Sequence, residues 1–127
     1  MTSGAIATLL KEATLAAPSE CCGLLLGRDR KVVRVVPAAN VHPDPERHFE
    51  IDPAVLIDAL RSEREGGAHV LGYYHSHPNG LAHPSGEDHA CASGDGRVWA
   101  IVAAGGVTWW RDDKAGFQRL SLRLAEG

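Results

Sequence analysis

Apolar positions recur with two different periods along this chain, and the switches between them outline its elements. Ile6, Leu9, Leu10 and Ala13 fall at helical spacing behind Thr2 or Ser3 as a cap, which predicts an amphipathic helix over residues 3–16, stopped by Pro18. Gly23-Leu24-Leu25-Leu26-Gly27 is a short apolar run between glycines and suits a buried strand. The valine-rich stretch from Lys31 to Val36 reads as its hairpin partner, with Asp29-Arg30 near the turn. Pro37, Pro43 and Pro45 mark residues 37–48 as an exposed loop, and Phe49 to Asp52 alternate as a short extended stretch.

Asp52 then caps a second helix with Pro53 in its first turn, where a missing N–H costs nothing. Val55, Leu56, Ala59 and Leu60 give that helix a buried face, and Gly66-Gly67 ends it. Val70 to Tyr74 is the most strand-like run and leads directly into His75-Ser76-His77-Pro78. Ser85 caps a short helix through about Ser93, and strands at 97–103, 107–112 and 116–124 close the chain. This order predicts an α/β fold, a single domain over 1–127 in which a mixed β-sheet is flanked by helices. No repeat and no linker divides it.

Composition narrows the function. A chain of 127 residues fits one domain, and 44% hydrophobic with 23% charged residues is enough to fill one core. The net charge of -3 comes without any basic stretch, which argues against a phosphate-tracking nucleic-acid surface. No apolar run approaches the ~20 residues of a membrane helix, and Met1 to Leu10 lacks the pattern of a secretory signal. Three cysteines, two of them adjacent, make a poor disulfide framework, so Cys21, Cys22 and Cys91 are expected as small buried apolar residues. The expected location is cytoplasmic. Oligomeric state is not legible.

The chemistry lies in a few polar positions. His75 and His77 are two apart at a strand end, so their imidazoles project from one face and can meet at one point. Asp88 follows eleven residues later, one turn into the helix that Ser85 caps. Two imidazoles and a carboxylate form a typical three-ligand catalytic zinc set, with a fourth position left for water. Such water still needs a proton acceptor, and Glu20, at the mouth of strand 23–27, is placed to serve if that strand lies beside 70–74. The Ser85 hydroxyl is placed to hydrogen-bond a developing oxyanion. His83 in the loop and His89, about 100° around the helix from Asp88, are expected outside the metal set. His42, His48 and His69 are expected at the surface or in packing. Of Trp109-Trp110, one ring should point inward and one outward.

Glu20, His75-Ser76-His77, Ser85 and Asp88, with seven and two residues between the last three parts, resemble the JAMM (MPN+) metallopeptidase signature. Ser19 to Gly27 and Phe49-Glu50-Ile51-Asp52-Pro53 look like the prokaryotic JAB branch of that family. The resemblance implies one zinc ion per chain on His75, His77 and Asp88, with Glu20 as general base then acid and Ser85 supporting the tetrahedral intermediate. It also implies a curved mixed sheet with JAB/MPN-like, cytidine-deaminase-like layering. The implied reaction is hydrolysis of a peptide or isopeptide bond after the Gly-Gly tail of a ubiquitin-like or sulfur-carrier protein. Two rival readings are a non-catalytic MPN-type scaffold, which usually lacks a ligand, and a zinc hydrolase of small amides. Residues 79–84 are expected to border the cleft and to be among the more mobile parts.

Overall fold

The computed structural model describes residues 3–121. Its elements follow in the order α1 (Ser3–Ala16), β1 (Cys22–Arg28), β2 (Lys31–Ala38), α2 (Pro53–Arg64), β3 (His69–Ser76), α3 (Gly86–Cys91), β4 (Val98–Ala103), β5 (Gly106–Asp113) and β6 (Gly116–Leu120). All six strands form one sheet in the order β2-β1-β3-β4-β5-β6, antiparallel except for the β3–β4 pair. The expected mixed α/β architecture is therefore present.

The two faces of the sheet are covered by different helices. Ala5 and Leu9 of α1 pack with Cys21, Leu25, Tyr74, Ala100, Val102 and Trp109 on one face. Val55, Leu56, Ala59 and Leu60 of α2 pack over Leu24, Leu26 and Val70 on the other. Each fully buried leucine contributes roughly 1.5–3 kcal/mol. The glycines of the first apolar run now have a reason. A Cβ on Gly23 would lie 2.5 Å from the Tyr74 ring, so the missing side chain is the space that the ring occupies.

Local chemistry sets the connections. Asp29 and Arg30 both have positive φ, at 52° and 63°, as a two-residue hairpin turn requires. The Asp52 carboxylate accepts from the Ala54 amide and caps α2, with Pro53 in the first turn. Asp112, 1% exposed, accepts from the amides of Ser93 and Gly94 and so fixes the return from α3 to β4.

Several boundaries differ from expectation. Strand β2 runs on through Pro37 to Ala38, and it is an edge strand, where a proline is tolerated. Helix α3 ends at Cys91 and not near Ser93, so it has one buried residue, Asp88, and leaves Cys91 exposed. The buried-apolar expectation thus holds for Cys21 and Cys22 but not for Cys91. Thr2 and residues 122–124 of the last expected strand lie outside the described residues. No described helix is long and apolar enough to cross a membrane.

Candidate metal centre

Strand pairing brings the distant polar residues together. β1 runs antiparallel to β3 with Cys22 opposite His75, and the Cys21 carbonyl accepts from the Ser76 amide. The Ser76 hydroxyl in turn accepts from the Cys21 amide at 2.8 Å, which locks Glu20 beside the histidine strand. His77 is tied to β4 through its amide, which donates to the Val102 carbonyl. Donor atoms of Glu20, His75 and His77 all lie within 4.8 Å of one another, and all three residues are buried.

Asp88 is closer still to the imidazoles. Its Oδ2 lies 3.2 Å from His75 Nε2 and 3.0 Å from His77 Nε2, and the two Nε2 atoms are 3.0 Å apart. The His77 Nδ1–H donates to the Leu81 carbonyl at 2.8 Å, which in the neutral ring leaves Nε2 as a lone pair. Two ring nitrogens and a carboxylate in mutual contact cannot all present lone pairs to one another. A proton or a cation must sit between them, and the residues therefore fit a metal ion. Glu20 stands one step outside this tight group.

Electrostatics separates the roles further. Burial pushes the Glu20 carboxyl up to about 7, partly countered by His77. Burial also disfavours the Asp88 carboxylate, but hydrogen bonds from both imidazoles outweigh it and hold the group below the usual carboxylate range. Burial lowers His75, whereas for His77 the hydrogen bonds to Asp88 and the Leu81 carbonyl overcome burial and raise it.

Ser85 is the N-cap of α3. Its hydroxyl accepts from the Asp88 amide at 3.0 Å and its amide donates to Asp88 Oδ2 at 2.9 Å, a reciprocal capping box. The hydroxyl hydrogen remains for another acceptor. Glu20, His77, Asn79, Leu81 and Ser85 line a cleft of about 320 Å³. His83 and His89 are exposed and lie outside the tight group, and His89 packs on Phe117 instead. Trp109 is buried, and the half-buried Trp110 carries Arg119 over its ring. The loop over 79–84 is exposed in large part, yet Leu81 and Ala82 are tethered through their carbonyls to His77 and Thr108.

Two contributors were missed in the sequence. The Asn40 carboxamide donates to the carbonyls of Glu20 and His48, at 3.0 and 2.9 Å, and accepts from the amides of His42 and Glu50. The Glu20 amide donates to the Pro45 carbonyl, so both main-chain groups of Glu20 are held by one loop. Phe49, from the same loop, stacks on the His75 ring at 4.2 Å between centroids. An asparagine opening a proline-rich loop was the only available signal for the first. The aromatic position inside an otherwise polar stretch was the signal for the second.

A mixed sheet with helices on both faces and a buried His-His-carboxylate group at one end of its parallel pair defines the JAB/MPN type of fold. Solved structures agree. A protein from Desulfitobacterium hafniense superposes with a TM-score of 0.86 at 32% identity, over 99% of this chain and 92% of that one. A JAB1/MPN domain protein from Archaeoglobus fulgidus gives 0.67 at 23% identity, over 97% and 95%, and supports the fold alone. The family model described as prokaryotic homologs of the JAB domain matches residues 2–113, and the chain belongs to that family. It is 46% identical over 82 residues to a probable TtuB-protein conjugate cleaving protease of Thermus thermophilus, covering 65% of this chain and 52% of that protein. It is 35% identical over 112 residues to a desampylase of Haloferax volcanii, covering 84% of this chain and 79% of that protein. The chain thus spans about half the length of the Thermus relative.

Proposed function

We propose that the chain is a zinc-dependent peptidase or isopeptidase that hydrolyses the bond after the Gly-Gly tail of a ubiquitin-like or sulfur-carrier protein, acting in the cytoplasm, and that residues 1–127 form a single domain. The observation that carries this reading is the contact of His75, His77 and Asp88 at 3.0–3.2 Å with a buried Glu20 just outside it. Those separations are near the roughly 3.3 Å expected between ligand atoms around tetrahedral zinc with bonds of about 2.0–2.1 Å. The His75–His77–Asp88 group contains no cysteine, and three ligands would leave a position open, both of which favour a catalytic over a structural zinc. Zinc held there supplies Lewis-acid chemistry, lowering the pKa of water and polarising a carbonyl oxygen.

The chain's own groups supply the rest. Glu20, with its pKa raised by burial to about 7, takes a proton from the attacking water at a carboxylate oxygen. It then delivers that proton to the leaving nitrogen, so the C–N bond breaks as an amine departs and a carboxylate remains. Ser85 has a hydroxyl hydrogen free for the carbonyl oxygen as charge builds on it. Phe49 shields one face of His75 from water. The conjugate-cleaving and desampylase relatives support a small protein modifier as the substrate.

The test uses full-length sulfur carriers encoded by the same organism, extended to end in Gly-Gly-Cys or in Ala-Ala-Cys, with products weighed. Cleavage after the second glycine, with the alanine version resistant, is the expected outcome. Equal cleavage of both, or of neither while a small amide is hydrolysed, would favour the small-amide reading.

A further inference from the structure

The charge around Glu20 is lopsided. Glu20, Glu46, Glu87 and Asp88 line the hollows on its two sides, of about 320 and 40 Å³, and Arg47 is the one lysine or arginine among those linings. Arg47 borders both hollows, yet its guanidinium forms no ion pair among the described residues. Its backbone is anchored. The Arg47 and His48 amides both donate to the Asp44 carbonyl, and Asn40 holds the His48 and Glu20 carbonyls together. The backbone of the arginine is therefore fixed relative to Glu20, and the residue lines both hollows.

An exposed guanidinium with no ion pair among the described residues, on the rim of the cleft that Glu20 lines, is suited to an anion that the substrate brings. Glycines upstream of the scissile bond carry no side chain. The carboxylate a Gly-Gly substrate can present within reach of Glu20 is then that of the leaving group. A single C-terminal residue has its α-carboxylate two bonds from the departing nitrogen, whereas a lysine side chain has none nearby. We propose that Arg47 is a specificity-determining residue that reads the α-carboxylate of a one-residue leaving group. Hydrolysis adds water across the C–N bond, leaving its oxygen in a carboxylate on the tail and both its protons on the amino group of the released amino acid.

This inference rests on the peptidase reading, and the experiment separates the two. Two peptides share one extended tail ending Gly-Gly-Ala, one as the free acid and one as the C-terminal amide. Alanine avoids a thiol that could bind metal. The zinc-loaded chain is expected to favour the acid by about 10-fold in kcat/KM, the low end for a hydrogen bond between charged groups. In Arg47→Met the acid-to-amide ratio should fall close to one. Because the ratio is taken within one preparation, misfolded protein cancels. The same ratio is read as binding affinity on the chelated full chain, where the peptides survive. No preference in wild type, or a preference that persists in Arg47→Met, overturns the assignment. An acid preference in binding with neither peptide cut instead overturns the peptidase reading and leaves Arg47 in place.

Discussion

Glu20 holds a position that makes the folded chain less stable than it need be. Burial raises its carboxyl to about 7 from an ordinary 4.5. Between those pH values the folded chain holds a proton that the unfolded chain has released, so stability falls as pH rises through the window. Glu20→Gln removes this dependence. In metal-free protein it should match wild type near pH 4 and exceed it above pH 7 by roughly 1–2 kcal/mol, after allowing for partial solvation of the carboxyl. Urea midpoints across pH would show it, and parallel curves for the two proteins would count against a buried, proton-holding Glu20. The same variant should keep its zinc while losing roughly 10²–10⁴ in turnover, the range for a general base. His77→Ala should lose the metal itself, and equal zinc in that variant and wild type by elemental analysis would sink the ligand assignment.

Helix α3 has six residues, too few to persist on its own. Its Ser85–Asp88 capping box both starts the helix and aims the carboxylate at the histidines. Ser85→Ala should therefore cost about 1 kcal/mol of stability, and it should weaken zinc less than the loss of a ligand's own supporting hydrogen bond would, because the Ser85 amide still donates to Asp88 Oδ2 and only the helix start loosens. Ser85→Thr, which keeps the hydroxyl, should restore most of both in urea titration and zinc competition. A Ser85→Ala chain with unchanged zinc affinity would mean that the Ser85 amide and the imidazoles orient Asp88 without help from the hydroxyl. The elements themselves were largely legible, because period-2 and period-3.6 patterns and the His75–His77 spacing are local signals. Asn40 was not, since the value of one carboxamide between residues 20 and 50 exists only once the strands have paired. Pro37 reads as loop in the sequence and lies in β2 in the structure, because edge position is a property of the sheet. The convergence of Glu20 on the histidines depended on β1 pairing with β3, which the sequence could only pose as a condition.

Gly72 sits where the parallel β3–β4 pair begins, opposite Val98. A Cβ there would fall 1.8 Å from the Val98 carbonyl oxygen, so Gly72→Ala must push the strands apart. Backbone cannot yield as a side chain can, and a loss of about 3 kcal/mol or more is expected. Thermal unfolding would check it, and a variant with near-wild-type Tm would mean that the ladder shifts without cost.

The strand order carries a consequence in time. β1–β2 and β4–β5–β6 are hairpins between chain neighbours, whereas β3 joins them through partners distant in sequence. Joining the two halves at β3 pays the loop-closure entropy and so sets the barrier, and the side chains of the metal group, at the far end of that junction, are expected to reach their final packing only after it. The proposed ligands His75 and His77 stand at the end of that junction. Chelation should then leave the refolding rate nearly unchanged and speed unfolding, about tenfold for each 1.4 kcal/mol of metal stabilisation lost. Stopped-flow measurements with and without chelator decide this, and a refolding arm slowed by chelator would place the metal group in the nucleus. If unfolding alone responds, the bound metal acts as a clock on the native state, and the working lifetime of the protein is set by how long the ion stays.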